Sequence, residues 1–406
     1  MARLSLNSIP NGLFVMNSTD QRQAIVAAGR ALTCSYAQHG ADAVAKVLGS
    51  AEEAHKNILT AEQYKAMNER FRNDHLLYAA KMACNQTGRP APATFEEFAK
   101  RGQEFYANKA FLAVLQGIYE EILTPILPRV YSEAVSVFAD VVEVGFAETA
   151  AVTVESGDIP VFQDSAWGAS RSVPANRFYS KTYTLNPQPK TAEMRFKWHQ
   201  LVGNNTDYGK FFANLTAGLY AKTMAMWNAA MTAAVQNTAM VPSGLIYNFS
   251  DLNWVTLANK LSAVNNTGIR NLIAYGGAVA LAKVLPTQTT GTTNVNMDAA
   301  IATLLGRDYI NAGYLGEFMG VRLMPLVDAV IPGTQFTSVD TILPTDKIYM
   351  LAASGRRPMT IAYNSSTPIT IEIQPEMTAS FEYIFNETIA LDSVAVFSSR
   401  IGLCNI

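Results

Sequence analysis

Val152-Thr153-Val154-Glu155 and Tyr179-Ser180-Lys181-Thr182-Tyr183-Thr184-Leu185 both alternate with a period of two, the pattern of a strand with two unlike faces. Between them, Ser156 to Asn176 is rich in Gly, Ser, Pro and Asp, with Phe162 and Trp167 set among them. Two such runs read as a long two-stranded ribbon with a broad irregular tip. A lone ribbon cannot bury its own faces and is marginal by itself. It needs a second surface, either on its own domain or on a neighbouring subunit.

Directly downstream, Asn204-Asn205-Thr206-Asp207 caps a helix that runs to about Thr238. Phe211, Leu215, Leu219, Met224, Trp227 and Met231 recur along it, while Asp207, Lys210 and Lys222 are its few charges. Thirty-odd residues at 1.5 Å each make it roughly 48 Å long. With so little charge it must be covered on most faces, as a structural spine is.

An α/β stretch follows from about Asp251 to Pro332, with helices expected at Asn253–Val264, Gly277–Leu285 and Asp298–Ile310 and strands at Arg270–Tyr275 and Val321–Leu326. The loop Pro286–Asn296 is polar, uncharged and reads as flexible. The tail is β-rich, with strands expected at Lys347–Ala352, Met359–Tyr363, Ile369–Ile373, Phe381–Ile389 and Ser393–Phe397. In it, Ile369, Ile371 and Ile373 share one face, and Phe381, Tyr383 and Phe385 another.

Upstream of the ribbon, residues 1 to about 140 read as helical. Ser50, Thr60 and Thr94 each open a capping box closed by Glu53, Gln63 and Glu97. A helix is also expected from Ser18-Thr19-Asp20 to about Tyr36. Tyr64, Met67, Phe71, His75, Tyr78 and Met82 form an amphipathic stripe, and a helix from about Gln103 should end or kink at Pro125 and Pro128. Twenty-six charged residues (14 basic, 12 acidic) lie within 1–130 and 38 in the other 276, a shift that places a boundary near 130–145.

The 406 residues are 49% hydrophobic and 16% charged, with a net charge of −2. A typical soluble domain is about 25% charged, so the surface is expected either to be buried against other copies, the favoured reading, or to belong to a mildly apolar monomer. Near-zero charge argues against a dedicated nucleic-acid binder with a basic face. Cys34, Cys84 and Cys404 are far apart and form no CxxC, which signals neither a zinc ribbon nor a disulfide framework. Met1 to Met16 lacks the apolar run of a signal peptide, and Leu272 to Leu285 is too short and interrupted to span a bilayer. A soluble protein made in a cytoplasm is expected.

No chemistry announces itself. His39, His55, His75 and His199 are isolated, without HExxH, HxH or cysteine partners, and read as structural or solvated. There is no G-x-S-x-G elbow, P-loop or G-x-G-x-x-G after a strand. The acid pairs Glu52-Glu53, Glu96-Glu97 and Glu120-Glu121 are read as lying in or near helical first turns, where they complement helix dipoles. Gly276-Gly277 precedes a helix, where packing on the adjacent strand is the simpler reading than an anion site. No catalytic residue, metal or cofactor is expected. Arg356-Arg357, between Gly355 and Pro358, marks an exposed basic turn.

From Val141 onward the order of elements resembles the major capsid proteins of tailed bacteriophages, the Hong Kong 97-type fold. Thr153–Lys190 looks like that family's extended E-loop hairpin, especially Ile159-Pro160-Val161-Phe162 through Trp167 and then Arg177-Phe178-Tyr179. Asp207–Thr238 matches its spine helix. Gly313-Tyr314-Leu315-Gly316-Glu317-Phe318-Met319-Gly320-Val321-Arg322-Leu323 resembles its late axial-domain passage, and Lys347–Leu351 with the closing strands looks like its peripheral sheet.

The resemblance implies an α+β capsid fold with a helical N-terminal region. Its divisions are 1–140 (helical region), 141–203 (E-loop arm), 204–250 (spine and start of the peripheral domain), 251–335 (axial domain) and 336–406 (peripheral strands). The chain begins at Met1, so the helical region is expected to be kept in the mature particle. It further implies a structural protein, not an enzyme, that assembles with itself as pentamers and hexamers around double-stranded DNA, contacted non-specifically. Scaffolding, portal and decoration proteins would be further partners, with no membrane involved; the place is the virion shell, assembled in a host cytoplasm.

Subunit contacts are expected at Phe162, Trp167, Arg171, Arg177 and Tyr179 of the arm. Gly313 and Glu317, with loop 286–296, would lie at the capsomer centres, and Arg356 and Arg357 where capsomers join. Glu148, Glu155, Asp158 or Glu382 are candidate partners for the two arginines. An encapsulin-type nanocompartment shell and an unrelated α+β enzyme or binding module are the alternatives.

Overall fold

The computed structural model describes residues 18–40, 60–125, 135–145, 147–157, 178–203, 206–237, 241–285, 288–290, 293–295, 313–334, 337–353, 357–364, 369–376, 381–395 and 400–406. The expected capping box at Ser50 and helix at Asp298–Ile310 lie outside these residues. The fold is α+β with a helical N-terminal region, as expected. The chain divides into two units, one of Met1–Ala134, Gln188–Tyr220 and Tyr363–Leu391, the other of Val135–Pro187, Ala221–Ala362 and Asp392–Ile406.

The first unit opens with α1 (Ser18–Gly40) and α2 (Ala61–Thr87). The box at Thr60 is reciprocal: Thr60 Oγ1 accepts from Gln63 N–H at 3.3 Å while Gln63 Oε1 accepts from Thr60 N–H at 3.0 Å. At Thr94 the box is shifted. Its hydroxyl accepts from Glu97 N–H, but the Glu97 carboxylate takes the N–H of Ala93 instead (2.8 Å). Short helices α3 (Phe95–Lys100) and α4 (Gly102–Tyr106) lead to α5 (Lys109–Leu123).

The helix expected from Gln103 is thus two, because Asn108 caps α5 by accepting from Ala110 and Phe111 N–H. Glu120-Glu121 correspondingly sits in the last turn of α5, not a first one. There the helix dipole disfavours acids, and specific partners compensate. Glu121 pairs with Arg22 at 2.8 Å, and Glu120 Oε1 accepts the Ile371 N–H at 2.8 Å.

In the second unit, β1 (Ala139–Val144) precedes the ribbon strands β2 (Ala150–Gly157) and β3 (Phe178–Leu185). In the first, β4 (Gln188–Lys197) and α6 (Trp198–Val202) lead into the long helix α7 (Tyr208–Gln236), about 44 Å in length. Asp207 caps α7, its Oδ1 accepting from Lys210 N–H at 3.0 Å and from the Tyr64 hydroxyl. The first half of α7 is widely sheathed, with Phe211, Phe212, Ala213, Leu215, Thr216, Leu219 and Tyr220 buried. Its second half buries one stripe, Met224, Trp227, Met231 and Ala234.

Gly209 lies where helices crowd: a Cβ there would stand 2.8 Å from the Leu32 carbonyl oxygen and nearer still to Tyr64 Oη. Gly209→Ala is expected to cost about 1–3 kcal/mol in urea denaturation, because a backbone atom cannot turn aside. An unchanged midpoint would show that α1 and α2 can yield.

The α/β part of the second unit holds β5 (Ile246–Asn248), α8 (Asp251–Val264), β6 (Leu272–Gly277), α9 (Ala278–Ala282), β7 (Gln288–Thr290), β8 (Thr293–Val295), β9 (Glu317–Phe318), β10 (Val321–Leu326) and β11 (Lys347–Ala352); β12 (Met359–Asn364) follows, its last two residues counted in the first unit. Last come β13 (Thr370–Glu376), β14 (Glu382–Ala395) and β15 (Gly402–Asn405).

One six-stranded sheet has the order β5-β15-β11-β6-β10-β9, with β6–β10 and β5–β15 parallel. Leu257 and Leu261 of α8, Leu281 of α9 and Trp254 pack on its strands with Ile348, Met350 and Cys404. β11, read from sequence as peripheral, therefore lies beside β6 in the α/β sheet.

β14 is a single strand where two were expected, because β4 pairs with it without a break from Glu382 to Leu391. Ile369, Ile371, Ile373, Tyr383 and Phe385 are buried as expected. Phe381 is not: it is 43% exposed and holds a φ of +48°.

Candidate assembly surfaces

The ribbon pairs antiparallel over eight steps, from Ala150↔Leu185 to Gly157↔Phe178. Among its described side chains the packed ones are at the root: Ala150, Val152 and Leu185 cluster with Val144 and Ala362. Further out, Thr153, Ser180, Lys181 and Thr182 are exposed, with Thr153 and Thr182 hydroxyls 3.0 Å apart. Lys181 lies over the Tyr183 ring at 4.8 Å. Tyr179 is on the ribbon's β3 strand, while Phe162, Trp167, Arg171 and Arg177 lie outside the described residues.

Gly313 and Glu317 are both exposed on the approach to β9. β9 and β10 form a tight hairpin, Phe318↔Val321, whose two turn residues Met319 and Gly320 have φ of +47° and +83°. Two successive positive φ values match the right-handed twist of the strands they join, and glycine meets this at the second position without strain. Loop 286–296 is not wholly irregular: β7 and β8 pair as a short hairpin within it, as β-branched threonines favour.

Of the basic turn, Arg356 lies outside the described residues and Arg357 is exposed. The Arg357 N–H donates to Asp140 Oδ2 at 3.0 Å and its guanidinium to the Tyr275 hydroxyl. This intrachain carboxylate is one the sequence reading did not name.

Nothing among the described residues resembles a reaction centre. No group of three or more His, Cys, Asp or Glu is placed to hold a metal ion, and no helix is long and apolar enough to cross a membrane. Cys84 and Cys404 are free and buried. A cleft of about 400 Å³ between α5 and β13 is lined by Ala107, Lys109, Leu112, Gln116, Ile373, Gln374 and Pro375, where Lys109 has no acid, histidine or cysteine beside it in the lining.

The perturbed titratable groups serve packing. His75 is fully buried, its Nδ1 2.6 Å from the Phe71 carbonyl oxygen and its Nε2 3.1 Å from the Tyr119 hydroxyl. A carbonyl can only accept, so the ring proton is on Nδ1 and Nε2 accepts from Tyr119. Burial lowers the His75 pKa to about 3. Glu387 continues the inward face of β14 between Phe385 and Ile389, opposite Ile371 and Ala192, and burial raises its carboxyl to about 7.

No protein-family model and no curated relative matches the chain. Solved structures do. A chain from the capsid of a native GTA particle is 16% identical, with 67% of this chain and 89% of that one covered and a TM-score of 0.41. The capsid of cyanophage P-SCSP1u gives 8% identity, 66% and 86% coverage and a TM-score of 0.40. A virus-like particle from Pyrococcus furiosus gives 10%, 66%, 89% and 0.33.

Proposed function

We propose that this chain is the shell-forming subunit of a tailed-phage-type capsid with the Hong Kong 97 arrangement. It would assemble with itself as pentamers and hexamers around double-stranded DNA, with scaffolding, portal and decoration proteins as further partners. The observation that carries the reading is the ribbon: eight residue pairs with a described apolar cluster at the root and exposed Thr153, Ser180, Lys181 and Thr182 beyond it, followed in the chain by a 29-residue helix and then an α/β sheet. A ribbon of this kind gains stability when its outer faces lie on another copy.

On this reading loop 286–296 and the Gly313–Glu317 approach gather where copies meet around an axis. A low charge suits such a place, since symmetry-related like charges repel. The chain has a structural role and no chemistry of its own.

Expression followed by negative-stain microscopy tests the class directly, closed or tubular shells being expected. Nuclease-resistant DNA within virions supports the capsid; a packaged enzyme would favour a nanocompartment. Deleting Gly157–Pro174 is expected to leave a folded, monomeric subunit that forms no particles. Shells of normal heat resistance from that variant would remove the arm from its assigned role.

A further inference from the structure

We propose that the short ladder of residues 328–334 and 337–342 is a second assembly surface, on which another copy of this chain packs through Val330, Ile331 and Val339. The partner's identity rests on the shell reading; the surface rests on its own geometry.

Ten large hydrophobic side chains are exposed among the described residues, and four of them, Val327, Val330, Ile331 and Val339, fall within 13 residues. Looseness does not explain this. Val330 and Thr341 form a β-bridge, the Ile331 N–H donates to the Asp340 carbonyl at 2.8 Å, and the Ile342 N–H donates to the Ala329 carbonyl at 3.0 Å. The base is tied to its own unit as well. Leu343 N–H donates to Asp328 Oδ1 at 3.0 Å, and Asn228 Nδ2 donates to the Ile342 carbonyl at 3.0 Å. The ladder therefore holds its apolar side chains in water in a fixed arrangement.

Val339, the most exposed of the ladder's large hydrophobics at 56%, has a φ of +52°. A β-branched residue is a true outlier there, where Gly or Asn would sit without strain. Folding alone gives no reason for valine at this place; an apolar contact with a partner does.

The occupant follows from charge. From Leu323 to Asp346 there is no Lys or Arg, while Asp328, Asp340 and Asp346 are acidic. Nucleic acid or an acidic lipid surface would be repelled, so the partner is a protein with an apolar face. Two identical ladders facing each other across a twofold would bring their aspartates together. The contact is therefore heterologous, ladder onto a different face of the next copy, the kind that closes rings.

The test compares Val339→Gly and Val339→Asn with the parent chain. It measures the melting temperature of unassembled subunits and the protein concentration at which particles appear by light scattering. Both variants accept a positive φ, so each is expected to melt no lower than the parent, while the assembly threshold rises roughly tenfold. Ile331→Ser should shift the threshold the same way.

Parental thresholds in all three variants overturn the proposal and leave the ladder to a different protein, with the shell reading intact. Higher thresholds that merely follow lower melting temperatures overturn it too, by making the ladder structural. A parent chain that forms no assemblies at any concentration overturns both.

Discussion

Urea denaturation of the unassembled subunit is expected to show a loss of about 5 kcal/mol in the first unit as pH falls from 6.5 to 3, carried by His75. The histidine is neutral in the fold and titrates there near 3, against 6.5 when exposed. Within that window the unfolded chain binds the proton and the native one does not, so stability falls with pH. Phe71 stacks on the imidazole at 4.5 Å and Tyr208 meets it edge-on at 4.8 Å, leaving no water to solvate a charge. The positive charge of nearby Arg72 opposes protonation further.

Glu387 acts with the opposite sign. Its native pKa of about 7 lies above the ordinary 4.5, so its contribution is full below 4.5 and is lost as pH rises to 7, by about 3 kcal/mol. Glu387→Gln should therefore gain on the parent at pH 8 and not at pH 4. His75→Leu should flatten the acid limb, though it strands the Tyr119 hydroxyl and weakens the fold at pH 7 by about 1–3 kcal/mol. An acid limb equally steep in His75→Leu would assign the loss to other groups.

Trp254→Ala is expected to cost the second unit about 3–5 kcal/mol. The indole is fully buried, meets Phe318 at 5.6 Å and Phe249 at 6.0 Å, and donates from Nε1 to the Phe318 carbonyl at 3.2 Å. Its removal leaves a cavity beneath α8 and unties the residue that opens the Met319-Gly320 turn. Trp254→Phe keeps most of the volume and loses the hydrogen bond, for about 1–2 kcal/mol. Near-ultraviolet circular dichroism with urea titration reads both. A cost below about 1 kcal/mol for the alanine variant would mean the core refills the space.

Much of the candidate site was legible as segments and little of it as contacts. The two ribbon runs follow from alternation and their closeness in the chain, and the helix after Asp207 from its cap and its apolar recurrence. The ladder surface was missed although a signal was present: Val327 to Ile331 holds three β-branched apolar residues among 24 without a basic side chain. What no pattern shows is that Val339 takes a positive φ, since valine is a residue that normally avoids it. The Arg357 turn was found, but Asp140, its carboxylate, lies 217 residues away.

By itself the sequence determined where several elements start and stop. Thr60 with Gln63 opens α2, and Val321–Leu326 and Lys347–Ala352 are strands to the residue. These features depend on hydrogen bonds and burial within one turn or one strand, so a few neighbouring residues suffice. Tertiary structure decided which strands are neighbours and what the buried polar groups meet. β11 lies between β15 and β6 in the α/β sheet, β14 runs unbroken because β4 lies beside it, and Glu120 caps the Ile371 amide. Each depends on surfaces brought together across tens to hundreds of residues, where the matching of whole faces, and not any local preference, sets the free energy.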